Sequence, residues 1–341
     1  MPGPGFIHLH VHSQYSLLEG ALKLDALWSL AKDDHLPALG IADTNNLFGA
    51  LEFSEKAAGK DIQPLLGAEL ALQFEPAGQR ALERGHERGP DRKGGVVLIA
   101  ADETGYRNLS QLVSRAYLEG EAGRAAAQLD WLDADSTAGI ICLSGGPEGA
   151  IDPWFAAGLD GQAEQRLEAL RNVFGDRFYI ELQRHGWSRE QASEAKLIDF
   201  AYRRGAPLVA TNEPFFATRA DYEAHDALLA IAAGSVVAQT ERRKLTPEHY
   251  FKTRDEMQAL FADLPEALEN SVEIARRVSY RPRTRGPILP RFAAAPGQSE
   301  AEGLAAEAER LRVEAHAGLK ARFEKYGKSS EFTVAQYEER L

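Results

Sequence analysis

Apolar residues in this chain gather in short runs with no alternation, at 6–12, 37–43, 63–72, 96–101, 139–144, 177–183 and 207–212. Runs of that length, apolar at successive positions, predict strands covered on both faces. Between most of them the apolar positions change period. Leu24, Leu27, Trp28 and Ala31 precede the second run, and Leu109, Leu112, Val113 and Ala116 follow the fourth. Leu167, Leu170, Val173 and Phe174 precede the sixth, and Leu197, Ile198 and Ala201 lead into the seventh. Spacings of three and four place such residues on one stripe of a helix. Gly205-Ala-Pro207 is a stop signal for the last of these helices. Further helices are predicted over 221–233 and 265–278. Strands alternating with helices predict a parallel sheet.

Polar residues then choose between an open sheet and a barrel. His10, His12, Asp43, Glu69, Ser144, His185, Asn212 and Glu213 fall at or just past the carboxyl ends of different predicted strands. An open sheet concentrates its ligand site at one switch point, whereas in a closed barrel all strand ends converge on a single mouth. The spread of polar residues around nearly the whole set therefore predicts a seven-stranded α/β barrel. Residues 73–95, with Arg80, Arg84, Arg88, Arg92 and Lys93, read as an exposed charged insertion. The Pro- and Gly-bearing run from Arg281 to Pro287 is a candidate boundary. Beyond it, 302–325 has helical character with few apolar positions (Leu304, Leu311, Val313, Leu319, Phe323). The expected organisation is a barrel domain over 1–280, then a linker and the start of a mainly helical segment over 281–341, too short to build its own core.

Composition narrows the class. The 341 residues carry a formal net charge of -12, which argues against a surface gripping nucleic acid along its whole face. Any DNA contact is expected to be local or delegated. The apolar runs are far shorter than a membrane span, and Met1-Pro-Gly-Pro-Gly5 has neither the basic nor the apolar region of a signal peptide. A cytoplasmic protein without membrane contact is expected. The single cysteine, Cys142, lies in an apolar run and reads as a small buried hydrophobe.

The chemistry is concentrated at His8-Leu-His10-Val-His12. Alternate residues of a strand share a face, so these three imidazoles are expected to project together from one strand end. His10 and His12, with Glu19, Glu69 and Glu213, could supply five ligands to a metal site. His8 or His185 could assist proton transfer. A strand-end carboxylate is more often merely solvated or hydrogen-bonded, and only the His-x-His pair stands clearly above that background.

The ordered motifs also carry a resemblance. They are His8-Leu-His-Val-His-Ser-Gln-Tyr-Ser-Leu-Leu-Glu19-Gly20, Ile41-Ala-Asp-Thr-Asn-Asn-Leu-Phe-Gly49 and Gln63-Pro-Leu-Leu-Gly-Ala-Glu69. Gly105-Tyr-Arg-Asn-Leu109, Leu143-Ser-Gly-Gly146, Val209-Ala-Thr-Asn212 and 260–268 come after them in the same order. Together they resemble the polymerase and histidinol phosphatase (PHP) domain, in the form that opens the alpha subunits of bacterial replicative DNA polymerase III. The resemblance implies a distorted seven-stranded barrel and, in metal-competent members, a three-metal hydrolytic centre. By position, His10, His12 and Glu69 match that centre's ligands, and Glu19 and Glu213 stand where Asp is usual. Thr44, Arg115 and Phe215 stand in place of His, and Gly146 in place of Cys. Those four offer no strong donor, so the resemblance implies a degenerate site, with Arg115 a candidate cation for Glu69 or Glu213.

The resemblance further implies a role in DNA replication. This chain would be the amino-terminal part of a DNA-directed DNA polymerase, inactive alone, with 281–341 leading toward the palm region. It would need no cofactor beyond one weakly held divalent ion (Zn, Mn or Mg) at His10, His12 and Glu19. It would act as a platform for the proofreading exonuclease subunit and the rest of the alpha subunit, touching DNA only through the parent polymerase. The alternative is a residual metal-dependent phosphoesterase, a 3′–5′ exonuclease or pyrophosphatase. A stand-alone histidinol phosphatase explains neither the narrower motifs nor the trailing helix.

Overall fold

The computed structural model describes residues 5–74, 94–120, 125–287, 292 and 298–341. They fall into two compact units, one running to Thr284 and the other from Arg285. The basic residues expected in the 73–95 insertion, Arg80 to Lys93, lie outside the described residues.

In the first unit the apolar runs fold as strands β1 (Ala38–Thr44), β2 (Gln63–Gln73), β3 (Gly95–Ala100), β5 (Ile140–Leu143), β6 (Phe178–Leu182) and β7 (Leu208–Ala210), with a two-residue β4 (Ala127–Gln128). The sheet order is β1-β2-β3-β5-β6-β7, with β4 beside the end of β2. It curls into a half-barrel with helices packed around it, the barrel type expected from the polar pattern. Two features depart from that expectation. The sheet is mixed, because β3 runs antiparallel to both β2 and β5. The reversal agrees with the sequence: residues 73–95 carry no helical period, the pattern that the crossover of a parallel pair needs.

The second departure is at 6–12, which forms no regular ladder. Its carbonyls at His8 and Val11 accept from Gly40 and Ala42 of β1, and the His12 amide donates to the Pro214 carbonyl beyond β7. Acceptors three apart facing donors two apart leave one extra residue in the segment, the count of a bulge. Alternation is broken there, with consequences for the three histidines. The segment lies so close to β1 that a Cβ on Gly40 would sit 2.9 Å from the His8 and Leu9 carbonyl oxygens, and only glycine leaves room for it.

Helices α1 (Leu24–Asp33) and α2 (Ala50–Ala57) bury Leu27, Trp28 and Phe53 against one flank. Helices α3 (Glu103–Glu119), α4 (Asp152–Ala156), α5 (Asp160–Phe174) and α6 (Ser188–Arg204) contribute to a larger core over β2, β3, β5 and β6. The Gly205 cap of α6 is left-handed, at φ +62°, as the stop signal predicted. After β7 come α7 (Tyr222–Ala232), α8 (Arg254–Leu260) and α9 (Pro265–Arg277). Helix α9 sets Ile274 and Ala275 among Ala38, Leu65, Ile99 and Ile141, and the Ala275 and Val278 carbonyls accept from Gln63 at the first residue of β2. It therefore closes the amino ends of β1 and β2 and leaves the opposite end of the sheet for chemistry. The second unit holds α10 (Glu300–Tyr326) and α11 (Val334–Glu339); α10 opens on a Ser299/Glu302 capping box and exposes Leu304, Leu311 and Val313.

Candidate metal centre

At the open end, His10 and His12 come from the bulged segment, Glu69 from the middle of β2 beside Thr44 at the end of β1, and Glu213 from the turn after β7. One ligand atom from each lies within 4.8 Å of the others. His10, His12 and Glu213 are buried and Glu69 is partly so. The His10 and His12 rings sit 5.1 Å apart. His12 Nε2 lies 3.5 Å from Glu213 and 3.8 Å from Glu69, beyond hydrogen-bonding distance. Glu69 is accommodated because Gly95 stands opposite: a Cβ there would be 2.3 Å from its Oε1. Glu213 adopts a left-handed backbone, φ +47°.

Electrostatics at the cluster are those of groups waiting for positive charge. Burial opposes ionisation of His10, but Glu181, Glu213 and Glu69 outweigh it and push its pKa up to about 9. Burial raises the Glu69 carboxyl despite the pull of both imidazoles. The same burial acts on Glu213, yet His10 and His12 overcome it and hold that carboxyl well below its usual range.

The cluster passes one further test for a cation. The Nε2 atoms of both His10 and His12 are buried and have no hydrogen-bond partner, although a buried polar atom without a partner is costly. Two imidazole nitrogens and two carboxylates are donors suited to Zn²⁺ or Mn²⁺ more than to Mg²⁺, which prefers oxygen and water. A bound ion would satisfy both nitrogens and supply Lewis acidity and charge at that point.

Other expected residues are placed differently. Glu19 is not in the four-atom group: it accepts from the Thr44 hydroxyl at 2.8 Å and lies 3.5 Å from Arg243. Arg115 does not reach Glu69 or Glu213. It projects from α3, pairs with Glu119 at 2.8 Å and stacks 4.1 Å over Trp131. The cation at the mouth is Arg243, donating to Glu148 at 2.5 and 2.9 Å and 5.5 Å from the Phe215 ring. His8 is turned away, donating to the Lys252 carbonyl at 2.8 Å and stacking on Phe251. Burial, reinforced by the Lys252 charge, lowers its pKa to about 4, so it is a neutral packing residue and not a proton carrier. His185 sits between Glu190, at 2.9 Å, and the Asn212 carbonyl, stacked on His249, and so helps fix the start of α6.

The positions where the resemblance expects lost ligands are filled by other contacts. Thr44 bonds Glu19. Phe215 lies parallel on His12 with centroids 4.2 Å apart. Gly146 has a left-handed backbone at φ +65°, and a Cβ there would sit 2.6 Å from the Gln183 amide and force it to move. Sequence reading missed Glu181, Gln183, Glu148 and Arg243. Glu181 had a signal, as a charge within the apolar run 178–182; Arg243, on a loop, had none.

A family model for the PHP domain matches residues 8–185, just over half of the chain. The chain belongs to the PHP domain family. Among curated relatives of this PHP domain, DNA polymerase III subunit alpha of Caulobacter vibrioides is 46% identical over 323 residues, covering 94% of this chain and 27% of its own. The same subunit of Rickettsia bellii is 35% identical over 98% of this chain and 26% of its own, and that of Escherichia coli 34% over 86% and 24%. The chain thus spans about a quarter of the length of these relatives. Among solved structures, an amidohydrolase from Chromobacterium violaceum aligns with 61% of this chain and 86% of its own at 15% identity and a TM-score of 0.38. Among the described residues of the PHP chain, no helix is long and apolar enough to cross a membrane.

Proposed function

We propose that this PHP chain is the amino-terminal module of a replicative DNA polymerase alpha subunit, in which a contracted metal site holds a single divalent ion. Its task is that of a platform, docking the proofreading exonuclease subunit and the rest of the alpha subunit while DNA is handled elsewhere in the parent polymerase. The observation that carries this reading is the contrast within the mouth. Four donors still converge with two unpartnered Nε2 atoms, while the flanking positions are occupied by a hydroxyl bonded to Glu19, a phenyl ring on His12 and an amide at Gly146. His10, His12, Glu69 and Glu213 would hold the ion. Phe215 covers one imidazole, and Arg243 supplies fixed positive charge without Lewis acidity. An acidic chain with no need to grip phosphates over its whole face suits the platform role.

A second reading, a one-metal phosphoesterase, is favoured by the same four donors and the open end of the sheet. Elemental analysis of purified protein, phosphodiester and pyrophosphate hydrolysis with and without Mn²⁺ or Zn²⁺, and a pull-down with the exonuclease subunit separate the two. The platform reading expects at most one ion per chain, no hydrolysis and retained exonuclease binding. Hydrolysis that depends on added metal and disappears in His12→Ala would replace it with the phosphoesterase reading.

A further inference from the structure

The outer nitrogens of the two histidines have partners whose donor and acceptor chemistry leaves no choice of tautomer. Glu181, fully buried within β6, places Oε1 2.8 Å from His10 Nδ1, and the same oxygen accepts from Gln183 and from the Thr211 hydroxyl. Its Oε2 accepts from the Gly145 amide at 3.0 Å. A carboxylate only accepts, so His10 Nδ1 bears the proton. At His12 a serine relays the same effect. The Ser16 hydroxyl gives its one proton to Asp43 at 2.6 Å and accepts from the Thr44 amide at 3.1 Å, so His12 Nδ1, 2.9 Å away, must donate to it. Asp43 is fixed in turn by the amide and hydroxyl of Ser13, both at 2.7 Å.

We propose that Glu181 and the Ser16–Asp43 pair are positioning residues that, when an ion is bound, hold both imidazoles with the proton on Nδ1 and a bare Nε2 aimed at one point between Glu69 and Glu213. This rests on the single-ion reading above and assigns its outer partners, none of which touches the ion. Carboxylates or relays behind a metal-binding histidine fix its ring and raise its basicity, and their loss costs about 10- to 100-fold in affinity. In Glu181→Gln the amide can turn its NH₂ toward His10, which favours the opposite tautomer and points an N–H at the cation position.

The test is Zn²⁺ titration of EDTA-stripped protein in competition with a chromogenic chelator, for wild type, Glu181→Gln, Ser16→Ala and Asp152→Asn. Long-range ¹⁵N–¹H spectra of the histidine side chains in the loaded protein accompany it. Each of the first two variants should lose about 10- to 100-fold in affinity, Asp152→Asn should lose none, and the spectra should show His10 and His12 protonated at Nδ1. Glu181→Gln should disturb only the His10 signals and Ser16→Ala only those of His12, which a general loss of structure would not do. If Glu181→Gln does not fold, Ser16→Ala and the wild-type spectra decide the matter. Wild-type affinity in both variants, or coordination through Nδ1, overturns the positioning role alone. No Zn²⁺ uptake by wild type overturns the single-ion reading with it.

Discussion

Glu213 holds a left-handed backbone at φ +47°, a conformation that costs a residue with a Cβ roughly 1–2 kcal/mol unless, like Asn, it is tolerant of it. Its place in the cluster is thus maintained against its backbone preference, as strained residues at functional sites often are. Replacing it by Gly or by Ala removes the same carboxylate and nearly the same side chain, so the difference between the two variants chiefly reports the backbone. Glu213→Gly should be more stable than Glu213→Ala by about 1 kcal/mol in EDTA; equal midpoints in urea would remove the strain argument. At this scale the His10 and His12 members of the cluster stood out in the sequence as a His-x-His pair, while Glu69 and Glu213 rose above other strand-end carboxylates only through the resemblance. Glu19 was misplaced because no pattern reveals that Thr44 bonds it. Arg115 was misread although α3 itself held the clue: Leu109, Leu112, Val113 and Ala116 are its buried stripe, and Arg115 falls on the flank.

At the level of elements, α9 bears on stability without bearing on the site. Ile274 is fully buried among the amino-end residues of the strands. Ile274→Ala should cost about 2–5 kcal/mol through lost contact and residual cavity, read as a lower urea midpoint with Zn²⁺ affinity of the folded protein unchanged. A fall in affinity would show that the closed end and the mouth are coupled. The longer helices were legible because an apolar stripe must face a core, and the predicted 265–278 helix corresponds to α9 at Pro265–Arg277, whereas the short α2, α4 and α8 were not predicted. Strand direction was not, since an apolar run reads the same both ways. Only the missing helical period in 73–95 hinted that β3 would run against its neighbours, and the extra residue in 6–12 is invisible without its partner strand.

For the whole molecule, Asp152 of α4 adds its own contribution to the pH dependence of folding, beside those of the shifted groups at the cluster and of His8. Its Oδ1 is buried without a partner, and burial, then the charges of Glu181 and Glu190, push its pKa up to about 8. The native carboxyl therefore keeps its proton over a range where the unfolded chain has released it. The contribution of Asp152 to stability must fall as pH rises from the ordinary carboxylate range toward 8, and level off above it. Asp152→Asn should remove that slope, so its advantage over wild type in urea midpoint grows between pH 5 and pH 8.5. A gap independent of pH would show that Asp152 is ionised in the native protein throughout.

The bulged residues 6–12 bridge β1 and the turn after β7 through a handful of main-chain bonds, and two of the four converging donors ride on them. An ion seated there would act as a clasp, joining the start of the chain to positions 69 and 213 and closing loops whose entropy is otherwise restrained by those few bonds. Chelation should accordingly release this stretch ahead of the surrounding strands, with amide exchange accelerating first at Gly40, Ala42 and His12.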